Sequence, residues 1–236
     1  GLTGTLDDLQ THKLVLEGLF GTVNKVISTK ELIEKKTLAN LKIDSLILGY
    51  KEQECKDVKN LKYADEMDYI VTHKKRLSFI TNLLGNVKGN VLVLYQFVEK
   101  HGKPLYDTIK EKYKNRNVFF VSGSVDALDR EKIREISEKT NNAVIVASYG
   151  TFSTGINIKN LHNIIFSSPS KSKIRVLQSI GRGLRLNDNK EMCKLFDIAD
   201  DLTYKGKQNF TLRHFMERIN IYNEEQFDYT IHRINI

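Results

Sequence analysis

An α/β domain with a mostly parallel central sheet, covered by helices on both faces, is the fold this sequence predicts. Three observations predict it. From about residue 73 onward, segments with helical spacing alternate with short runs of strand length. Those runs are almost entirely apolar, as strands are when both faces of a sheet are covered. Small and polar residues gather directly behind them. In a parallel sheet those positions lie at the carboxyl edge, where ligands bind.

The elements follow in order. Gly1, Thr3, Gly4 and Thr5 form a small-residue turn, Asp7 and Asp8 suit a helix start, and a mixed segment runs to Phe20. Residues 22–27 alternate like a short strand. Ser28 or Thr29 is expected to cap a helix over 30–36, with Glu31 near the positive end of its dipole. A strand is expected at 44–50. Residues 51–75 are polar, charged and helical in pattern, with Leu61, Ala64, Tyr69 and Ile70 as inward positions. The regular part then gives a helix at 73–84, a strand at 90–95, a helix at 103–114 and a strand at 117–121. A helix at 127–139, strands at 143–147 and 163–166, a helix at 173–183 and a strand at 193–198 follow. A helix at 210–222 and a strand-like tail at 226–236 close the chain. No repeat or low-complexity stretch is present.

At 236 residues the chain is long enough for one large α/β domain. Its longest apolar runs are strand length, so the sequence offers no membrane span and no signal peptide. The two cysteines, Cys55 and Cys193, are far apart and lack the neighbours of a metal or redox motif, which makes a reducing compartment the expectation. A formal charge of +8 and a pI near 9.3 favour a polyanionic partner.

The residues that carry chemistry lie behind the strands. Tyr95 and Gln96 follow the apolar run at 91–94. Ser122-Gly123-Ser-Val-Asp126 follows the next and opens a helix whose amide end suits a phosphate, with Arg130 one turn in. The hydroxyl-rich run Ser148-Tyr-Gly-Thr151-Phe-Ser153-Thr-Gly155-Ile-Asn157 follows the strand at 143–147. Ser167-Ser-Pro-Ser170 leads into Gln178-Ser-Ile-Gly181-Arg182-Gly-Leu-Arg185. Arg182 and Arg185 stand three apart, on one helix face, and paired guanidinium forks suit phosphate oxygens. Gly181 and Gly183 replace better helix formers, which predicts a close backbone approach or a helix end. A solvated basic face is the plain alternative for the arginines, and ordinary loop chemistry for each hydroxyl cluster. All of them together on one edge would make a phosphate-reading surface. Asp65-Glu-Met-Asp68 imitates a magnesium-binding acidic box but follows no buried strand and no phosphate loop, so we reject it.

In order and spacing these blocks resemble the C-terminal RecA-like motor domain of superfamily 2 helicases, and within that family its phage recombination and repair branch. Gly1-Leu-Thr-Gly-Thr5 resembles motif III of a preceding motor domain, so residues 1–11 are expected to be its remnant and linker, and 12–236 the C-terminal domain. Val91 to Phe97 resembles motif IV, Ser122-Gly123 with Arg130-Glu131 the block after it, Ala147 to Ile158 motif V, and Gln178 to Arg185 motif VI, the most specific of them. The resemblance implies a RecA-like three-layer fold. It implies arginine fingers at Arg182 and Arg185 with Gln178 beside them, and nucleotide contacts at Gly155, Asn157 and Gly181. Nucleic-acid contacts are implied at Tyr95, Gln96, Ser122, Gly123, Arg130, Ser148, Thr151 and Ser153. Many family members have Asp where Asn157 stands, so the contact here lacks that charge. ATP and Mg2+ are the implied cofactors, held mainly by the preceding motor domain, and no metal site is expected in this chain. The implied partners are single-stranded and branched DNA, RNA–DNA hybrids and the N-terminal motor domain. A monomer in the cytoplasm, that of the host cell for a phage protein, completes the expectation.

No G-x-x-x-x-G-K-[ST] occurs, so the loop that cradles ATP phosphates is absent from this sequence. A helicase half-motor that does not turn over ATP alone is therefore the leading expectation. A nucleic-acid-binding α/β module without motor function would use the same basic edge, and a flavodoxin-like domain would share the fold. A nuclease or methyltransferase is disfavoured, because clustered carboxylates and a glycine fingerprint after a first strand are both missing.

Overall fold

The computed structural model describes residues 10–22, 27–151, 158–186, 190 and 192–236. Helices α1 (Gln10–Phe20) and α2 (Thr29–Glu34) precede strand β1 (Asn40–Gly49). Then come α3 (Glu52–Val58), α4 (Tyr63–Thr72), α5 (Lys74–Leu83) and β2 (Val91–Tyr95). A single π turn (Val98–Gly102) leads into α6 (Lys103–Lys112), β3 (Asn117–Val121), α7 (Ala127–Lys139), β4 (Ala143–Ser148) and β5 (Asn163–Phe166). The chain ends with α8 (Lys173–Gly183), β6 (Met192–Asp201), α9 (Phe210–Glu224) and β7 (Tyr229–Asn235).

The described strands form one seven-stranded sheet in the order β3-β4-β2-β5-β6-β1-β7, and every pairing in it is parallel. All strand carboxyl ends therefore share one edge. Alternation within the strands sends Leu92, Leu94, Ile164 and Phe166 to one face, where they pack with Val176, Ile180 and Leu184 of the α8 segment and Phe215 of α9. Val91, Val93, Tyr95 and Ile165 face the opposite layer, against Ile80 of α5 and Leu105 and Ile109 of α6. Three layers result, as the sequence predicts.

Differences from the sequence reading have local causes. β1 begins four residues earlier than expected and β6 ends three later, because each pairs along its full length with the other, Asn40 with Met192 through Gly49 with Asp201. Long-range pairing overrides the weak strand character of Asn40, Lys42 and the Ala-Asp-Asp at 199–201. Asp44 is tolerated inside β1 by an ion pair with Lys194 of β6, 2.5 Å away. Between 51 and 75 the structure has two short helices, α3 and α4, before α5 begins at Lys74, with Met67 buried and Ala64 exposed, correcting Ala64 as an inward position. The alternating run at 22–27 falls largely outside the described residues. Ser28 does cap α2, its hydroxyl accepting the Glu31 amide at 3.1 Å.

Glu66 of the rejected acidic box has a different task. Its buried carboxylate accepts the amides of Phe210 and Thr211 at 2.9 and 2.8 Å, so α4 caps the first turn of α9.

Candidate nucleotide and nucleic-acid interface

α8 is amphipathic by spacing: Val176, Ser179, Ile180 and Gly183 are buried, while Arg175, Gln178 and Arg182 form the outward face. The helix ends at Gly183, so Arg185, expected on the same helix face as Arg182, instead follows the helix beyond the buried Leu184. Ser172 caps its start, accepting the Arg175 amide at 3.4 Å. Its end lies close on the sheet. A Cβ at Gly183 would sit 2.6 Å from Ile164 Cδ1 and 2.7 Å from Cys193 Sγ, so only a glycine lets the helix approach there. A Cβ at Gly181 meets no described atom within 4 Å. The close approach that the sequence predicted for both glycines belongs to Gly183 alone. Gly183→Ala should lower stability by about 1–3 kcal/mol through overpacking. Gly181→Ala should be neutral, or stabilising by up to about 1 kcal/mol, and thermal unfolding of the two variants checks the contrast.

Arg182 and Arg185 are both half-buried. Burial, and then the neighbouring Arg185 charge, push the Arg182 pKa below its ordinary value. Two guanidinium groups held together in this way gain from an anion placed between them.

The lead-in to α8 is clamped by two buried ion pairs that the sequence reading missed. Arg218 of α9 binds Asp197 of β6 through Nη2 at 2.8 Å and Nε at 2.9–3.0 Å, and its Nη1 donates to the Ser170 carbonyl at 2.8 Å. Tyr222 adds a hydrogen bond to Asp197 at 2.9 Å. Arg76 of α5 reaches Asp200 at 2.7 Å and donates to the Ser167 carbonyl at 2.8 Å. Burial alone would lower both arginine pKa values, but the adjacent carboxylates outweigh it and raise them. Between the clamps, the Ser168 hydroxyl accepts the Gln96 amide at 3.1 Å and lies 2.8 Å from His101 Nδ1. The direction of that second bond follows the His101 tautomer, since a hydroxyl that has accepted once keeps both its proton and a second acceptor site. Burial, with Arg76 adding to it, depresses the His101 pKa to about 3. A signal for Asp197 and Asp200 was visible in the sequence: carboxylates inside an apolar strand require buried cations.

The expected single phosphate-reading edge is corrected. An eleven-residue helix is about 16 Å long, roughly the length of the strands it covers. α8 starts beyond the carboxyl end of β5 and finishes at the opposite edge, where the Leu184 carbonyl accepts the amide of Ala39 just before β1 at 2.8 Å. Arg182 and Arg185 therefore lie at the amino edge of the sheet. The hydroxyl loops lie at the carboxyl edge.

At the carboxyl edge the predicted residues separate further. Tyr95 is fully buried, stacked on Phe120 at 5.6 Å with its hydroxyl on the Val121 carbonyl, so it faces no ligand and is corrected to a core residue. The strand ends at Tyr95, as expected, but the side chain of that last residue points into the core and not toward a ligand. Gln96 is exposed. Ser122 is buried and bonded to Ser124 at 2.7 Å, while Gly123 is exposed and its carbonyl accepts from Arg130 at 3.4 Å. The start of α7 is capped by Asp126, which accepts the Asp129 amide at 2.8 Å. That carboxylate occupies the amide end which the sequence reading offered to a phosphate. Ser148 and the buried Thr151 pair at 2.7 Å. Gln178 and Gly181 are exposed on α8. Ser153, Gly155 and Asn157 lie outside the described residues.

The descriptions of known proteins agree with this architecture. Residues 75–187 match the helicase conserved C-terminal domain. The ATP-dependent DNA helicase uvsW of Enterobacteria phage T4 is 35% identical over 249 residues, which takes in all of this chain and 49% of that protein. The crystal structure of T4 UvsW superposes with a TM-score of 0.73 at 36% identity, covering 84% of this chain and 42% of that one. The ATP-dependent type ISP restriction-modification enzyme LlaBIII bound to DNA shares the fold, with a TM-score of 0.61 at 16% identity over 93% of this chain and 17% of that one. The chain thus spans about half the length of the phage helicase. Among the described residues no helix is long and apolar enough to cross a membrane. With its parallel three-layer sheet and these matches, the chain carries a helicase conserved C-terminal domain of RecA-like fold.

Proposed function

We propose that this chain is the second half of an ATP-driven DNA helicase that acts in recombination, repair and the processing of branched DNA or replication forks. One observation carries the reading: α8 is anchored at both ends and holds Gln178 and Arg182 outward at the amino edge of the sheet, with Arg185 following just beyond its last turn. In this reading residues 1–11 end a preceding motor domain, whose phosphate loop and acidic box hold ATP and Mg2+. The residues of this chain fit the terminal phosphate: Arg182, its pKa already pushed down by burial and Arg185, gains most from a facing anion. Among the described residues there is no group of three His, Cys, Asp or Glu side chains able to hold a metal ion. ATP supplies the phosphoryl group and the free energy. Arg182 and Arg185 stabilise charge on the phosphoryl oxygens, Gln178 orients beside them, and Gly155, Asn157 and Gly181 complete the nucleotide side. The opposite edge, with Gln96, Ser122, Gly123, Arg130, Ser148 and Thr151, meets the backbone of one DNA strand or of an RNA–DNA hybrid, without base readout, and Ser153 is assigned the same role from its place in the motif. Separation of the two surfaces by the width of the sheet lets nucleotide state and grip on DNA change together through one rigid body.

The isolated chain should bind single-stranded DNA weakly and without turnover of ATP. Its log Kd should rise linearly with log salt concentration, with a slope of about 0.7 per phosphate contacted. Arg130→Ala, which removes one phosphate contact, should reduce that slope by about 0.7. Fluorescence-anisotropy titrations at several salt concentrations check this. Salt-independent binding, or strong base preference, would remove the carboxyl edge from the interface. A non-motor DNA-binding module would show the same titration, so the ATPase of the intact protein separates the two readings.

A further inference from the structure

Beneath the end of α8 lies a charged side chain that neither the motifs nor the arginines account for. Lys190 is 3% exposed, and its ammonium donates to the carbonyl of Gly183, the last residue of α8, at 2.5 Å. The same ammonium donates to the carbonyl of Lys159 at 3.1 Å. From the other side the Glu138 carboxylate of α7 accepts the amides of Lys159 and Asn160 at 2.5 and 3.2 Å. Asn160, itself buried, donates to the carbonyls of Ser137 and Thr140 at 3.2 and 3.0 Å. The short segment at 159–160 is thus gripped on both its carbonyl and its amide side. It begins two residues after Asn157, at the close of the Gly/Ser/Thr run.

A buried ammonium is costly and is retained where several acceptors converge on it. Here the acceptors belong to two different elements. One is the negative end of the α8 dipole; the other is the chain leaving the hydroxyl-rich run. A leucine or methionine would fill the space but join nothing. We infer that Lys190 is a positioning residue: a charged brace that ties the exit of that run to the end of α8, so that a shift of one moves Arg182 and Arg185 with it. The inference rests on the reading of those arginines as the groups that meet the ATP phosphate. Coupling between elements travels through contiguous packing and hydrogen bonds, and the Lys190 ammonium is a direct hydrogen-bonded contact between these two. The groups facing the ammonium are Glu138 from α7, Cys193 from β6 and His162 before β5; burial lowers the Lys190 pKa, and Cys193 and Glu138 oppose that shift.

The test uses the intact protein, ATP, and single-stranded DNA as activator. Lys190→Met keeps the stem and removes the charge. DNA-stimulated kcat should fall by about 10- to 100-fold, the scale of a small misplacement of catalytic groups, with ATP KM and DNA Kd within about twofold of the parent. Combined with Arg185→Ala, it should add almost nothing to the loss caused by Arg185→Ala alone, since both act through one unit. A stimulated kcat within twofold of the parent overturns the inference. So does a double variant slower by the product of the two single losses, which is how a general loss of folded protein behaves. If Lys190→Met does not fold, Glu138→Gln at its half-exposed position carries the test: stimulated kcat should fall several-fold at unchanged KM, and an unchanged kcat overturns the brace. Arg185→Ala alone separates the two ideas. If it leaves kcat unchanged, the arginine reading fails independently of Lys190.

Discussion

Arg185→Ala in the intact protein should lower kcat for ATP hydrolysis by about 10³-fold with KM little changed, and Arg182→Ala should behave alike. The barrier change is about 4 kcal/mol. Charge builds on the phosphoryl oxygens in the transition state, and a guanidinium already fixed in place stabilises it without reorganising. α8 supplies that fixity: Gly183 lies against Ile164 and Cys193, and Leu184 is tied to Ala39. Lys at either position should rescue poorly, because a point charge does not reproduce the planar fork. Steady-state ATPase with a melting curve as folding control is the measurement. An exposed, idle basic face predicts near-parental turnover and a stability change within about 0.5 kcal/mol. That outcome in both variants would take the arginine helix out of the mechanism.

The second large effect concerns the clamp. Arg218→Met should destabilise the fold by about 3–5 kcal/mol, because it strands the buried Asp197 carboxylate beside Tyr222. For a domain of this size that is a fall of roughly 6–20 °C in Tm. It also releases the Ser170 carbonyl, so activity should fall further than the folded fraction does. Replacing Asp197 as well, by Leu, should recover much of the lost stability, since a buried pair and an apolar pair of similar volume differ little. It should not recover activity, because the Ser170 carbonyl still lacks its donor. The exposed pair Arg134–Glu131 on α7 is the control: Arg134→Ala should cost less than about 1 kcal/mol. Thermal unfolding of the three variants decides. Equal effects at Arg218 and Arg134 would mean that the clamp carries no special weight.

What the sequence determined by itself was periodic and local. Alternating helical and apolar segments fixed the order of the elements from α5 onward, because spacing reports which faces are buried regardless of the partner. The Gly-Arg-Gly-Leu-Arg run was legible for the same reason: nothing in core packing calls for it. Tertiary structure alone decided the rest. It turned the side chain of Tyr95 into the core and assigned the close approach to Gly183 while leaving Gly181 open. It turned Glu66 from an imitation metal ligand into the cap of α9. It set the arginines at the opposite edge from the hydroxyl loops, since the length of a helix in ångströms, unlike its order in the chain, carries its last turn across the sheet. Arg76, Lys190 and Arg218 were illegible for a physical reason: a buried cation is specified by acceptors that lie far away in sequence, and only the folded chain brings them together.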